Sequence, residues 1–278
     1  MNARLLFILL LFTIGALWYI IGYWRRKAGE AAFAAARLTE KSEERERYCR
    51  LAVMAGHREA CRMFCLLHPE RFDGHSPHKP FKLRGIRISF YGYYYPSRYN
   101  ALLNDEQKAF CHSIYQFKQG DIHGIEFFKT CMNALQLKKR PYHIMFMPCS
   151  NWIKYGQRFK RLDWYIGKHR QDLTSGLYDV DICDARESLH EAKGGEKRIL
   201  ERNYLITGKI KGKEIIIIDD VLTTGQSVVD YKEEIERCGG KVVAAIFYGK
   251  TLSMPSMLLV QIHVWGNHIA HIIERMTK

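Results

Sequence analysis

Residues 215–227 read IIIIDDVLTTGQS, and the fold turns on this stretch. Four consecutive isoleucines make a strand that is apolar on both faces, as a strand covered by helices on either side requires. The strand is expected to end in Asp219 and Asp220, with a loop over residues 221–225 leading straight into a helix over 227–238. Gly239 and Gly240 close that helix, as glycine does at helix C-termini. Working outward, residues 143–147 and 242–248 repeat the apolar run, and from residue 79 onward such runs alternate with helical stretches. Strand and helix in alternation predict the α/β class, a parallel sheet with crossover helices.

In open α/β sheets ligands gather at the carboxyl ends of strands. The backbone N–H groups of Thr223, Thr224, Gly225 and Gln226 can converge there on an anion at the helix N-terminus, with the hydroxyls of Thr223, Thr224 and Ser227 as further donors. Gly225 permits the tight approach. Two adjacent carboxylates beside a phosphate site call for sugar hydroxyls or a metal ion, and vicinal ribose hydroxyls supply such a pair of donors. The stretch therefore reads as a site for a ribose bearing a 5-phosphate. A helix cap and a solvated turn also favour Asp and Thr, but would account for only part of it. The GK[ST] of a Walker-type loop is absent.

The thirteen residues 215–227 resemble the phosphoribosyl pyrophosphate signature of type I phosphoribosyltransferases. Other segments are similar to the ComF-like, competence-associated branch. Arg186 with Leu189, then Arg198, Arg202 and Asn203, echo its R…L…R…RN pattern; IMFMPCSNWIKYGQRF (144–159) its strand, loop and Arg-containing segment; and FKQGD (117–121) its KFxGD. Two features depart from the branch. No cysteine-rich zinc module precedes the domain, and residues 148–151 read PCSN where the branch is more apolar and proline-rich.

The resemblance implies a type I phosphoribosyltransferase fold and displacement of pyrophosphate from phosphoribosyl pyrophosphate, with Mg²⁺ on the diphosphate, held mostly by substrate and water. It assigns Asp219 and Asp220 to the ribose hydroxyls, as the catalytic pair, and Thr223, Thr224, Gly225, Gln226 and Ser227 to the 5-phosphate. Backbone at Cys149, Ser150 and Asn151, with the side chain of Arg158 or Arg186, is assigned to the diphosphate. No residue is assigned as a metal ligand, and type I members often pair as homodimers. A module that binds such a ligand or a nucleotide without turning it over is the alternative. So is a component of DNA uptake or other nucleic-acid handling.

The chain opens differently. Residues 5–24, LLFILLLFTIGALWYIIGYW, carry no charge and are followed by Arg25, Arg26 and Lys27. At about 1.5 Å per residue they are long enough to cross a hydrocarbon core of about 30 Å. Aromatics near the far end and the basic flank predict an uncleaved single-pass anchor over 1–27, N-terminus outside and main domain cytoplasmic. A cleaved signal peptide fits less well, its h-region being too long and its basic cluster on the wrong side. Residues 28–75 read as a helical spacer with a turn near Gly56, and Tyr48, Ala52, Gly56, Ala60 and Phe64 resemble part of a Sel1-like repeat. Prolines and polar residues over 68–81 mark a boundary, so the α/β domain is expected to span 76–278.

The formal charge is +14, an excess that suits phosphorylated substrates, lipid headgroups or nucleic acid without choosing among them. The eight cysteines show no CxxC pair and sit in apolar-patterned segments, as reduced thiols do. His57, Cys61, Cys65 and His68 would share a helix face and could in principle hold a metal; buried thiols are the plainer reading, since Ala60, Phe64 and Leu67 share that helix. YGYYYPSRY (91–99) suits either base stacking or a strand and turn with aromatic cross-strand packing.

Overall fold

The computed structural model describes residues 3–120, 124–182 and 203–277, with the side chains at 3–6, 8 and 9 left aside. The chain starts with a continuous helix, α1 (Ala3–Leu38), followed by α2 (Ser42–Met54), α3 (Arg58–Leu67) and the short α4 (Pro69–Asp73). Gly56, at φ 89°, forms the turn between α2 and α3. Among the described residues no helix is long and apolar enough to cross a membrane. The expected span over 5–24 includes four of the side chains left aside.

Next comes an antiparallel hairpin of β1 (Phe81–Leu83) and β2 (Ile86–Tyr94), then helices α5 (Asp105–Lys118) and α6 (Gly124–Leu135). The chain continues through β3 (Tyr142–Phe146), α7 (Trp152–His169) and β4 (Leu173–Ser175), and then a separate antiparallel pair, β5 (Val180–Ile182) and β6 (Tyr204–Ile206). The unit closes with β7 (Glu214–Leu222), α8 (Gln226–Arg237) and β8 (Lys241–Thr251).

The main sheet has the order β1-β2-β8-β7-β3-β4, parallel throughout except for the edge strand β1. This bears out the expected mostly parallel α/β sheet. The four isoleucines sit on its central strand, paired with β3 on one side and β8 on the other, and each is wholly buried. From β3 the chain crosses by α7 to β4, away from β7; from β7 it crosses by α8 to β8, away from β3. The strand order thus reverses between β3 and β7, the switch point at which open α/β sheets form their ligand crevice.

The last helix, α9 (Met257–Met276), belongs with the opening helices. The chain divides into two compact units, one of Met1–Gly74, Ala101–Leu103 and Ser253–Lys278, the other of His75–Asn100 and Asn104–Leu252. The expected 76–278 domain therefore lacks its final helix, because Val260 and Val264 pack into the core formed by Ala36, Cys49, Ala52, Ala60 and Phe64. Small residues bring these helices close, and the Phe33 ring stacks on His57 at 4.3 Å. The His57/Cys61/Cys65/His68 set is dispersed. His57 Nδ1 accepts from the Ala60 N–H and caps α3, Cys61 and Cys65 are core residues, and His68 pairs with Glu46 at 3.3 Å. Burial pushes the Cys65 thiol up to about 12. Among the described residues no group of three or more His, Cys, Asp or Glu stands where it could hold a metal ion.

Candidate functional site

β7 outruns β3. Pairing with β3 stops at Phe146–Ile218, and one further bond joins Met147 N–H to Ile218 O, whereas pairing with β8 continues to Leu222 opposite Lys250. The acidic pair expected to close the strand therefore lies within it, since Asp219 is still held opposite Phe247 and Val221 opposite Gly249. The loop shrinks to residues 223–225, and α8 starts at Gln226, one position earlier than expected. Asp219 and Asp220 stand in a notch beyond the end of β3, at the crevice that the strand order makes.

Each carboxylate accepts from the next backbone amide, Asp219 Oδ1 from Asp220 N–H and Asp220 Oδ1 from Val221 N–H, both at 2.8 Å. Both carboxylates also face cations, Asp219 through the same Oδ1 and Asp220 through its free Oδ2. Arg158 Nη1 is 3.5 Å from Asp219 Oδ1 and 3.4 Å from Asp220 Oδ2, and Lys118 Nζ is 2.9 Å from Asp220 Oδ2. Burial opposes ionisation of both acids. At Asp220 the Arg158 and Lys118 charges outweigh it and hold the carboxyl at about 2, whereas burial and then the Asp220 charge push Asp219 well above the ordinary carboxylate range.

Beyond the strand, Thr223 and Thr224 are exposed, and Gly225 takes φ 77° as the N-cap of α8. Left-handed backbone suits glycine, and a Cβ here would lie 2.3 Å from Leu83 Cδ2, so any other residue is strained at this φ and must push the Leu83 side chain aside. Gln226 N–H lies 3.4 Å from Thr224 Oγ1, and Ser227 is exposed in the first turn. Thr223, Thr224, Gln226 and Ser227 thus lie exposed around the buried Gly225 at the positive end of a helix.

The loop after β3 meets the same crevice. Asn203 Nδ2 donates to Cys149 O at 3.2 Å and to Ser150 O at 3.4 Å, tying that loop to the chain just before β6. Asn151 caps α7 by accepting from Lys154 N–H, and Cys149 is buried, its thiol pushed up to about 12 chiefly by burial. Arg158, expected at the diphosphate, stands beside the acidic pair. Arg186, Arg198 and Arg202 lie outside the described residues.

Comparison with known proteins assigns the part of the chain that carries the acidic pair. Residues 171–251 match the family model of the phosphoribosyl transferase domain. A 57-residue stretch is also 42% identical to an orotate phosphoribosyltransferase of Sulfolobus acidocaldarius, covering 20% of this chain and 26% of that protein. The chain thus aligns with about a quarter of the length of this curated relative. The phosphoribosyl transferase match takes in β4 to β8 with the acidic pair and the loop over residues 223–225, but not β3, α5, α7 or the β1–β2 hairpin.

Outside that match lie two cations that the sequence did not single out. Lys118, in the FKQGD segment, reaches Asp220. Arg84 sits at the tip of the β1–β2 hairpin and donates from Nη1 to Gln226 Oε1 at 2.6 Å, while Gln226 Nε2 donates to Asp230. The two-residue turn Arg84–Gly85 has φ 45° and 83°, the positive values that a tight hairpin needs, so an arginine is held where Asn or Gly is ordinarily preferred. A cavity of about 650 Å³ adjoins Lys118, lined also by Tyr94, Tyr95, Asn100, His112 and Tyr115. Within YGYYYPSRY, Tyr91 packs across the strands against Tyr248 of β8 and stacks on Phe110 of α5.

Proposed function

We propose that this chain binds phosphoribosyl pyrophosphate, or a related ribose 5-phosphate or nucleotide, in the notch between β3 and β7 and transfers the phosphoribosyl group with release of pyrophosphate. The observation that carries the reading is the acidic pair protruding past β3 beside an open phosphate loop, within the stretch that matches the phosphoribosyl transferase domain. Asp219 and Asp220 accept the ribose hydroxyls, and residues 223–227 hold the 5-phosphate. The amides of residues 149–151 meet the diphosphate with Arg158 or Arg186.

The reaction breaks the bond from C1 to the pyrophosphate oxygen and forms one from C1 to the acceptor. Positive charge gathers on the ribose in the transition state, so the protein contributes alignment and fixed charge. Arg158 and Lys118 keep the acidic pair balanced until ligand arrives, and the ribose hydroxyls then share those oxygens. The cavity beside Lys118 is our candidate for the acceptor. The described residues offer no ligand set for Mg²⁺, since both carboxylates of the pair already face cations.

The same proposal puts the protein on a membrane by α1, N-terminus outside and main domain cytoplasmic. Support comes from the uncharged stretch 5–24, its basic flank, and apolar side chains exposed from Leu10 to Trp24. The resemblance to the ComF-like branch and the Sel1-like string support a role in nucleic-acid handling and a repeat-like spacer, and a homodimer follows the habit of type I members. Binding without turnover is the second reading, favoured by the PCSN loop at residues 148–151.

Calorimetry on the full chain with phosphoribosyl pyrophosphate tests the site. Binding should vanish in Asp219→Asn/Asp220→Asn with the fold retained; unchanged affinity in that variant would overturn the assignment. Pyrophosphate release in the presence of acceptor separates transfer from binding.

A further inference from the structure

α9 carries an unusual surface for an exposed helix. Leu258, Ile262, Trp265, Ile269, Ile272 and Met276 are spaced four, three, four, three and four apart, and each is 41% exposed or more. At about 100° per residue the six fall on one arc of roughly 80° that runs the whole length of the helix. His263, Asn267, His271 and Glu274 take the other side, and only Val260 and Val264 are buried, in the core of the helical unit. A stripe of this size left in water is costly, and large exposed apolar patches mark interaction surfaces.

The position of α9 in its unit indicates what covers the stripe. Gln261 Nε2 donates to Val53 O at 3.5 Å, and Arg25 Nη2 donates to Met54 O at 2.9 Å. Two successive carbonyls at the end of α2 therefore receive α9 and the first residue of the basic cluster 25–27 of α1. Arg25 follows directly on the uncharged stretch 5–24, so α9 crosses its unit at the level where that stretch ends. Ile262 and Trp265 are the next stripe residues. The helix is too polar to cross a bilayer, and its amphipathic form is that of helices lying in the headgroup layer, where tryptophan is favoured. Arg25, Arg26 and Lys27 bring positive charge to the same level, suited to anionic headgroups.

We infer that α9 is a second membrane contact, lying in the plane of the bilayer surface with its Leu258–Met276 stripe among the lipids. This rests on the proposal that α1 anchors the chain. A second copy of the chain is the competing occupant, because the same spacing suits a paired helix.

The test uses the full chain in phosphatidylcholine/phosphatidylglycerol vesicles with and without brominated lipid, comparing the wild type with Trp265→Phe. The emission lost on that substitution belongs to Trp265. It should be quenched by bromolipid and protected from aqueous iodide, and Ile269→Lys/Ile272→Lys, at two exposed positions, should reverse both. Quenching by iodide alone, or by neither agent as a protein–protein seam would give, overturns the inference. Trp18→Phe/Trp24→Phe reports on α1 separately: if the emission lost there resists bromolipid, the anchor fails, whatever Trp265 shows.

Discussion

Lys118 Nζ stands 2.9 Å from Asp220 Oδ2 and also borders the cavity at the end of β2. One ammonium thus links the acid that should take a ribose hydroxyl to the space available for an acceptor. Lys118→Met should let the Asp220 carboxyl titrate at higher pH, since part of what holds it at about 2 is gone. The acid limb of affinity for phosphoribosyl pyrophosphate, measured by calorimetry from pH 4 to 8, should move toward neutrality. An unmoved limb would remove Lys118 from the site.

The two carboxylates should pull stability in opposite directions with pH. Asp220 contributes stability that is complete above the unfolded carboxylate value, about 3.9, and disappears as pH falls through its folded value. Asp219, pushed up, contributes in reverse, and its share is lost as pH rises through its folded value. Asp219→Asn should therefore stabilise the protein at neutral pH, on the order of 1 kcal/mol, while weakening ligand binding. The gain should close as the pH falls below ~4, where Asp219 becomes protonated in the unfolded state as well. Denaturant titrations across that range provide the check.

Arg84 offers a second pair of opposed effects. Removing its guanidinium should weaken ribose 5-phosphate binding by about tenfold, the scale of one charge-assisted hydrogen bond. Arg84→Gly should do the same yet raise stability by about 1 kcal/mol, because glycine relieves the left-handed backbone at φ 45°. Equal phosphate affinity in wild type and Arg84→Ala would confine the residue to the hairpin.

Gly225→Ala should cost about 1–3 kcal/mol, the usual penalty of overpacking, with further strain from φ 77°. Its Cβ collides with Leu83, so Leu83→Ala in the same chain should recover part of the loss. Thermal denaturation of the two single variants and the double resolves the coupling.

The strand Ile215–Ile218 and its neighbours were legible because a strand buried on both faces must be apolar at every position. The turn from strand to helix over residues 223–227 was legible because its signals are local, a glycine at positive φ between threonines and the first turn of α8. Strand length past Asp219 was not, since it depends on a ladder with β8. Arg84 was hidden for the same kind of reason: its contact with Gln226 joins residues 142 apart. Arg158 illustrates the limit within the site. Its nearness to the crevice was readable, but its turn toward Asp219 and Asp220 follows from how α7 crosses the end of β3. The allegiance of α9 to the opening helices rests on two valines, Val260 and Val264, which lie across the helix from the six exposed residues; the helical period separates the two faces but does not say which of them packs inward.

Asn203 holds the carbonyls of both Cys149 and Ser150. In a trans peptide the N–H points opposite to its carbonyl, so the amides of Ser150 and Asn151 are turned to the far side. The loop after β3 is thereby polarised, negative edge toward the side chain that grips it and positive edge away. A residue more than fifty positions downstream sets the sign of the charge this loop prefers, and replacing its amide by a carboxylate would repel the carbonyls it now holds.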